Sequence, residues 1–266
     1  MLNILFIGDI VGQIGRETVA KVLPQLKKEL KIDLVVANAE NVAHGTGVNE
    51  RSLQELMETG IDFFTTGDHA FDNKKQTEHL FNNYPLIRPA NFPIGNDGVG
   101  YFVINKGKNS ILIINLIGRV FMSMDYDCPF RQLDDILANV SLSNKKLSAI
   151  IVDIHAEATS EKIALKYYAD GRVSAIIGTH THVPTTDAVI TDKGTAYQSD
   201  AGMTGFADGI IGIHKEGIIR TFLTQIKNTH KLPEKGLSTF NAVLIKINPK
   251  NCQAAGIKQI IKQVEI

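Results

Sequence analysis

Cysteine is nearly absent from this chain: Cys128 and Cys252 are the only two in 266 residues. That excludes a disulfide framework and a thiolate zinc site, and two isolated thiols fit a reducing cytoplasm. Net charge is absent as well, because Lys and Arg total 28 and Asp and Glu total 28. A neutral chain carries no electrostatic footprint for wrapping nucleic acid or coating an anionic membrane. A small phosphorylated substrate stays open, since metals can supply positive charge locally. No apolar run approaches the roughly 18 residues of a membrane span. The apolar opening, Met1 to Ile7, lacks a cationic start and is interrupted by Asp9. It reads as a buried first strand and not as a signal peptide. Internal repeats and low-complexity stretches are missing too.

What is present is an alternation of strand-like and helix-period segments, with 44% hydrophobic residues, enough for a sizeable core. Strands are expected at Ile4 to Ile7, Leu34 to Ala37 and Phe63 to Thr66, with helices at Gly15 to Leu30, Asn49 to Thr59 and Asn73 to Asn83. Pro24 lies inside the first helix and is expected to bend it. Later strands are expected at Val99 to Ile104, Ile111 to Leu116, Ala149 to Val152, Ala175 to Ile177, Asp187 to Ile190 and Ala242 to Ile247. Helices are expected at Arg131 to Val140 and Glu161 to Ala169. The early βαβ alternation implies parallel strands with helix cover. Asp192-Lys193-Gly194 is a hairpin turn. Asn228 to Ser238 reads as a surface loop, and Ile257 to Ile266 fits either helix or strand.

Five polar clusters sit where these apolar runs stop: Gly8-Asp9, Ala39-Glu40-Asn41, Gly67-Asp68-His69, Asp153-Ile154-His155 and Gly178-Thr179-His180-Thr181-His182. Strand ends converge on one edge of an open α/β sheet, and ligands bind there. Taken singly, each residue has an ordinary reading. Asp9 could cap the following helix, Glu40 could be a loop carboxylate, and Asp68 and His69 could form a turn. Gly67 would let that turn be sharp. Together, Asp, Glu, Asn and His make a donor inventory for two divalent cations and phosphate ester hydrolysis. In extended chain, His180 and His182 would project to the same side and could serve one site with His155. His79 and His230 read as solvated. His44, in the loop His44-Gly45-Thr46-Gly47 close to Glu40, is a candidate substrate contact. His214 is left open, because the glycines around it can simply allow turns.

The motifs Gly-Asp-Ile-Val-Gly (8 to 12), Asn-Ala-Glu-Asn (38 to 41), Thr-Gly-Asp-His-Ala-Phe-Asp (66 to 72), Asp-Ile-His-Ala-Glu-Ala-Thr-Ser-Glu-Lys (153 to 162) and Gly-Thr-His-Thr-His-Val-Pro-Thr (178 to 185) occur in order along the chain. In these motifs the chain resembles the bacterial YmdB-like branch of the calcineurin-like metallophosphoesterases. The resemblance implies one domain over residues 1–266, an α/β fold, and a four-layer α/β/β/α metallophosphoesterase sandwich with two mixed sheets flanked by helices. It also implies a dinuclear metal-dependent phosphodiesterase acting on cyclic nucleotides or related, possibly RNA-derived, phosphodiesters through a metal-bridging hydroxide. By position, Asp9, Glu40, Asn41 and His182 would hold one metal. Glu40, Asp68, His155 and His180 would hold the other, with Glu40 shared. His69 would face the substrate as the acid, or as a stabiliser of developing charge.

Two positions depart from the wider pattern. Val11 stands where most metallophosphoesterases have His, a gap the YmdB-like branch shares. Asp68 stands where the family usually has Asn, and its extra charge would make bound water less acidic or favour a ferric ion. The late segment Gly202-Met203-Thr204-Gly205 matches, while Phe206 to Gly209 deviates. Iron or manganese is the expected metal pair, with zinc as a further option. The remaining expectations are a cytoplasmic enzyme, a small phosphodiester or nucleotide as partner, no membrane, and a homo-oligomer as an open possibility. Alternatives are a phosphomonoesterase or nucleotidase on the same scaffold, and a regulatory nucleotide-binding protein with weak catalysis. A dinucleotide-binding enzyme is disfavoured, because Asp9 lies where pyrophosphate would need bare glycines.

Overall fold

In the computed structural model, the described residues are 1–74, 77–142, 146–228 and 231–266. His230, expected to be solvated, lies outside them. The elements run β1 (Leu2–Ile7), β2 (Asp9–Ile10), α1 (Gly12–Glu29), β3 (Leu34–Asn38), α2 (Glu50–Glu58), β4 (Phe63–Thr65) and α3 (Thr77–Asn83). They continue through β5 (Tyr101–Lys106), β6 (Asn109–Ile117), α4 (Pro129–Leu142), β7 (Ala149–His155), α5 (Thr159–Ala169) and β8 (Ala175–Thr179). The chain closes with β9 (Val189–Ile190), β10 (Ala196–Gln198), β11 (Met203–Phe206), α6 (Lys215–Thr224), β12 (Leu237–Asn248) and β13 (Gln253–Glu265).

Two mixed sheets form. The first has the order β2-β11-β12-β1-β3-β4, with β13 also paired to β12, and the second β5-β6-β7-β8-β10-β9. In the first, β1, β3 and β4 are parallel while β12 runs antiparallel to β1. In the second, β6, β7, β8 and β10 are parallel, with β5 and β9 antiparallel at the edges.

Strand pleating explains the layering, because successive side chains point to opposite faces. Leu5 and Ile7 of β1 enter a core shared with Val19, Leu23 and Leu26 of α1 and Leu53 and Leu56 of α2. Leu2, Ile4 and Phe6 turn the other way, into a core shared with Ile111, Ile113, Ile151 and Ile177 of the second sheet. The outer face of that second sheet presents Leu112, Ile114, Val152 and Ile176 to Leu133 and Ile136 of α4 and Leu165 of α5. The result is a four-layer α/β/β/α sandwich with three hydrophobic seams. Phe6 has no exposed surface, and a fully buried aromatic of this kind contributes about 2–3 kcal/mol.

Several elements differ from expectation. Helix α1 begins at Gly12, ahead of the expected Gly15, and continues through Pro24. The Asp187 to Ile190 strand shrinks to Val189–Ile190, though it does pair antiparallel with β10 across the expected turn. The C-terminal ambiguity resolves as a strand: β13 alternates in burial and pairs along β12 from Leu237 to Asn248. Helix α3 spans Thr77–Asn83 among the described residues, and the expected helical start at Asn73 is a bend. Helix α6 is an addition to the expected elements, and Ile218 is its only buried residue, so its apolar periodicity has no core to point at.

Candidate metal centre

The parallel strands of both sheets end at one edge, and the five polar clusters meet there. β1 leads to Asp9, β3 to Glu40 and Asn41, and β4 to Asp68 and His69. β7 ends at His155, and β8 leads to His180 and His182. Asp9 is not a helix cap: α1 begins after Val11, which makes no side-chain cap bond. Asp9 belongs to β2, is fully buried, and accepts a bond from the His180 amide on Oδ2 (3.3 Å) while Oδ1 has no partner. Burial pushes its carboxyl above the ordinary value.

Four ligand atoms, one each from Glu40, Asp68, His155 and His180, lie within 4.8 Å of one another. His155 Nε2 is 3.0 Å from Asp68 Oδ1 and 3.2 Å from Glu40 Oε1, and His180 Nδ1 is 3.4 Å from Asp68 Oδ1. Tetrahedral ligands at about 2.0–2.2 Å from a cation are separated by about 3.4 Å, so this spacing fits an ion. The hydrogen bonds behind the imidazoles agree. Thr179 Oγ1 donates to Asp153 Oδ1 at 2.7 Å, so it accepts from His155 Nδ1 at 2.9 Å. Nε2 is left toward the carboxylates: without a cation it carries a proton to Asp68 Oδ1, and with one its lone pair would be free to coordinate. His180 Nε2 is 3.2 Å from Glu157 Oε2, which turns its Nδ1 lone pair inward. Burial pushes Asp153 up to about 7, so above that pH it is an acceptor on both oxygens, held by Thr65 (2.5 Å) and Asn38 (3.3 Å) as well.

A second group of acceptors lies beside the first. His182 Nδ1 donates to the Ile211 carbonyl at 3.0 Å, leaving Nε2 a lone pair. Asn41 Nδ2 donates to the Gly45 carbonyl at 2.8 Å, which fixes Oδ1 toward that lone pair at 3.3 Å. These two acceptors face each other, and Asp9 Oδ1 is likewise without a hydrogen-bond partner, His155 Nδ1 lying 3.8 Å from it.

The charges respond to this crowding. Burial works against ionising Glu40, but the His155 imidazole outweighs it and holds the carboxyl below its ordinary value. Burial likewise opposes ionisation of Asp68, and hydrogen bonds to His155 and His180 hold it well below the carboxylate range. His155 is pushed well above its usual value despite burial, chiefly by Glu40 and Asp68.

The expectation that pleating would put His180 and His182 on one side fails. β8 stops at Thr179, and both histidines have left-handed backbone, with φ of 97° and 65°. This bend directs His180 to one acceptor group and His182 to the other. Each such conformation costs on the order of 1–3 kcal/mol, and a buried ion pair holds it. Lys162 Nζ bonds the Thr179 carbonyl and Asp200 Oδ2, both at 2.8 Å, and Asp200 Oδ2 also accepts from Thr181 N and Oγ1 at 3.1 and 2.8 Å. Gly67 opens the expected turn, its carbonyl accepting from the Ala70 amide at 3.2 Å, without a left-handed backbone. A Cβ there would lie 2.3 Å from both Glu40 Oε2 and His155 Nε2, so its role is to leave room for their approach.

His69 sits at the rim. Its amide donates to Glu40 Oε2 at 3.2 Å, and its Nδ1 pairs with Asp72 Oδ2 at 2.8 Å. Burial opposes its protonation, but Glu40, Asp68 and Asp72 together raise its pKa. His44 is exposed and lines a cavity of about 360 Å³ together with Asn41, His69 and His182. His79 is on the surface, bonded to Asn83 and Glu50, and His214 precedes α6 against Phe206. Neither joins the cluster. Sequence reasoning left Thr179, Thr65, Asn38, Glu157, Lys162 and Asp200 without a role. The one signal available was that Asn38, Glu157, Lys162 and Thr179 fall inside the motifs that carry the candidate ligands.

Comparison with known proteins agrees with this arrangement. Residues 5–260 match the family model described as YmdB-like protein. A Bacillus subtilis (strain 168) protein named 2′,3′-cyclic-nucleotide 2′-phosphodiesterase is 42% identical over 98% of this chain and 97% of its own length. A crystal structure of a hypothetical protein from Thermus thermophilus superposes with a TM-score of 0.90 at 39% identity, covering 98% of this chain and 99% of that one. A Mycoplasma pneumoniae structure described as a novel phosphatase gives a TM-score of 0.92 at 33% identity, covering 99% and 94%. With its motifs, its sandwich fold and nearly its whole length in agreement, the chain belongs to the YmdB-like protein family.

Proposed function

We propose that this chain hydrolyses cyclic nucleotides or closely related phosphodiesters. At the level of reaction class it is a metal-dependent phosphoric diester hydrolase. The observation that carries the reading is the pair of acceptor groups, fed by both sheets and fitted to cations. In this reading Asp9, Glu40, Asn41 and His182 hold one ion, and Glu40, Asp68, His155 and His180 hold the other. When bound, the ions neutralise phosphate charge and make water acidic enough to react near neutral pH.

The chain's own groups do the rest. Glu40 is shared between the ligand sets, and its Oε2 also fixes the His69 backbone at 3.2 Å. His69 is held by Asp72 through Nδ1, and its Nε2, 3.9 Å from Asp68 Oδ2 and in no hydrogen bond to it, faces the cavity where a substrate would lie. As water adds to phosphorus and the bond to the leaving oxygen breaks, the Nε2 proton passes to that oxygen. His44 at the cavity wall contacts the substrate. The His, carboxylate and amide donors suit iron or manganese, and zinc as well. Two unpaired cysteines fit a cytoplasmic setting, and among the described residues no helix is long and apolar enough to cross a membrane. An RNA-derived cyclic end as substrate and a homo-oligomeric state belong to the same proposal.

The test is a manganese-loaded protein assayed side by side on a 2′,3′-cyclic mononucleotide, a cyclic dinucleotide and a simple monoester. Turnover of the diesters is expected to exceed that of the monoester. His69→Ala should keep its metal and lose about 10²–10⁴-fold in kcat, whereas Glu40→Ala should lose metal by elemental analysis. Preference for the monoester would move the assignment to a phosphatase.

A further inference from the structure

On the hydrolytic reading the phosphodiester group needs only the acceptor groups and His69, yet the cavity beside them extends over an apolar wall. Of its lining, Val11, Ile211, Ile213 and Leu232 are aliphatic, and they share about 360 Å³ with Asn41, His69 and His182. This volume lies within the range of small-ligand sites, which combine apolar walls with a few placed polar groups. Ile211 is 47% exposed, and the wall is built, not incidental. Ile211 supplies the carbonyl that orients His182 (3.0 Å). Leu232 comes from the segment before β12, whose Lys231 carbonyl accepts from the His214 amide at 3.2 Å. Its side chain rests on Gly45, where a Cβ would approach Leu232 Cδ1 to 2.6 Å, and Gly45 has a φ of +89° that only glycine adopts freely.

We infer that this aliphatic wall, with Leu232 as its key residue, is the subsite for the base of a nucleotide substrate and sets selectivity for nucleotides over small phosphodiesters. The inference rests on the hydrolytic reading of the adjoining groups. Its physical basis is that a nucleobase presents flat, weakly solvated faces. Val11 is already buried behind the wall, and covering the accessible faces of Ile211, Ile213 and Leu232 with such a face removes apolar surface from water on both partners. A substrate without a base would leave the wall wet and gain nothing from it. Because the base does not react, the contact forms in the ground state and the transition state alike, so its loss falls mainly on KM.

The experiment compares the manganese-loaded wild type with Leu232→Ser and Ile213→Ser, each first checked for native circular dichroism and metal content. The ratio of kcat/KM for a 2′,3′-cyclic mononucleotide over the base-free 2′,3′-cyclic phosphate of methyl riboside is expected to fall about tenfold or more in Leu232→Ser, mostly through KM. Calorimetry with nucleoside monophosphate and with ribose phosphate provides a second readout. The wild type should bind the nucleoside monophosphate more tightly, and the variants should lose that preference. Equal binding of the two ligands by the wild type, or an unchanged ratio in both variants, overturns the inference. Absence of turnover on every diester would instead defeat the hydrolytic reading, and the calorimetric arm would still decide whether the wall takes a base.

Discussion

The two sheets bring different things to their common edge. The first supplies the crowded carboxylates Asp9, Glu40 and Asp68 with the neutral Asn41 amide, and Asp9 Oδ1 has no hydrogen-bond partner. The second supplies His155 and His180, each with its outer nitrogen tied to a partner, Thr179 at 2.9 Å and Glu157 at 3.2 Å. One half is therefore braced by the protein, and the other is left for cations to complete. A preformed site is divided in this way for a chemical reason. The imidazoles must present one lone pair in one direction, so they need a tautomer and an orientation set from behind. A carboxylate has lone pairs to spare on both oxygens and needs only proximity.

The place where the halves touch is the most sensitive to change. Gly67 lies between Glu40 of the first sheet and His155 of the second, and a methyl group would sit 2.3 Å from each. Gly67→Ala should force the two apart by about 1 Å, and a displacement of that size costs about a hundredfold in rate. Metal content by elemental analysis should fall with kcat/KM while circular dichroism stays native. A variant with wild-type metal content and kinetics would mean that the two halves are not coupled through this contact.

A smaller effect sharpens the asymmetry itself. Thr179→Val keeps the shape of the side chain and removes the hydroxyl that links Asp153 to His155. Metal affinity should fall about 10–100-fold, as for other residues that orient a ligand, and Thr179→Ser should restore it. Competition with a chelating dye measures the affinity directly. If Thr179→Val binds manganese as tightly as the wild type, the imidazoles are no better braced than the carboxylates.

The same asymmetry marks what was legible in the sequence. The acidic half is local: Asp9, Glu40 and Asp68 each follow an apolar strand directly, and strand ends can be read from periodicity. The histidines were legible as candidates, and the sheet-edge placement followed from the βαβ pattern. Their bracing was not, because it joins distant segments. Thr65 reaches Asp153 across 88 positions and Lys162 reaches Asp200 across 38. The left-handed turns at His180 and His182 were equally hidden. Neither residue type demands positive φ, and the buried Lys162–Asp200 pair that holds them gives no local pattern. β2 and β11 are two and four residues long, too short for a period of two to register.

The smallest expected effect concerns the rim, where a histidine is attached to the acidic half and braced by a carboxylate of its own. Burial opposes protonation of His69, while Glu40, Asp68 and Asp72 raise its pKa above the usual 6.5. As a proton donor it acts in its charged form, which is populated below the raised value and lost as pH rises through it. Activity should therefore fall on the alkaline side at a pH above 6.5. Replacing Asp72 by Asn removes one of the charges that hold the proton, so the alkaline limb of the kcat profile should move to lower pH. The acid limb should stay in place, because Asp72 touches neither acceptor group. The change in rate at about pH 6 should be less than roughly tenfold, since Nε2 still carries a proton there. A kcat profile that is superimposable on that of the wild type would show that the bond at 2.8 Å between His69 and Asp72 orients the ring without tuning it.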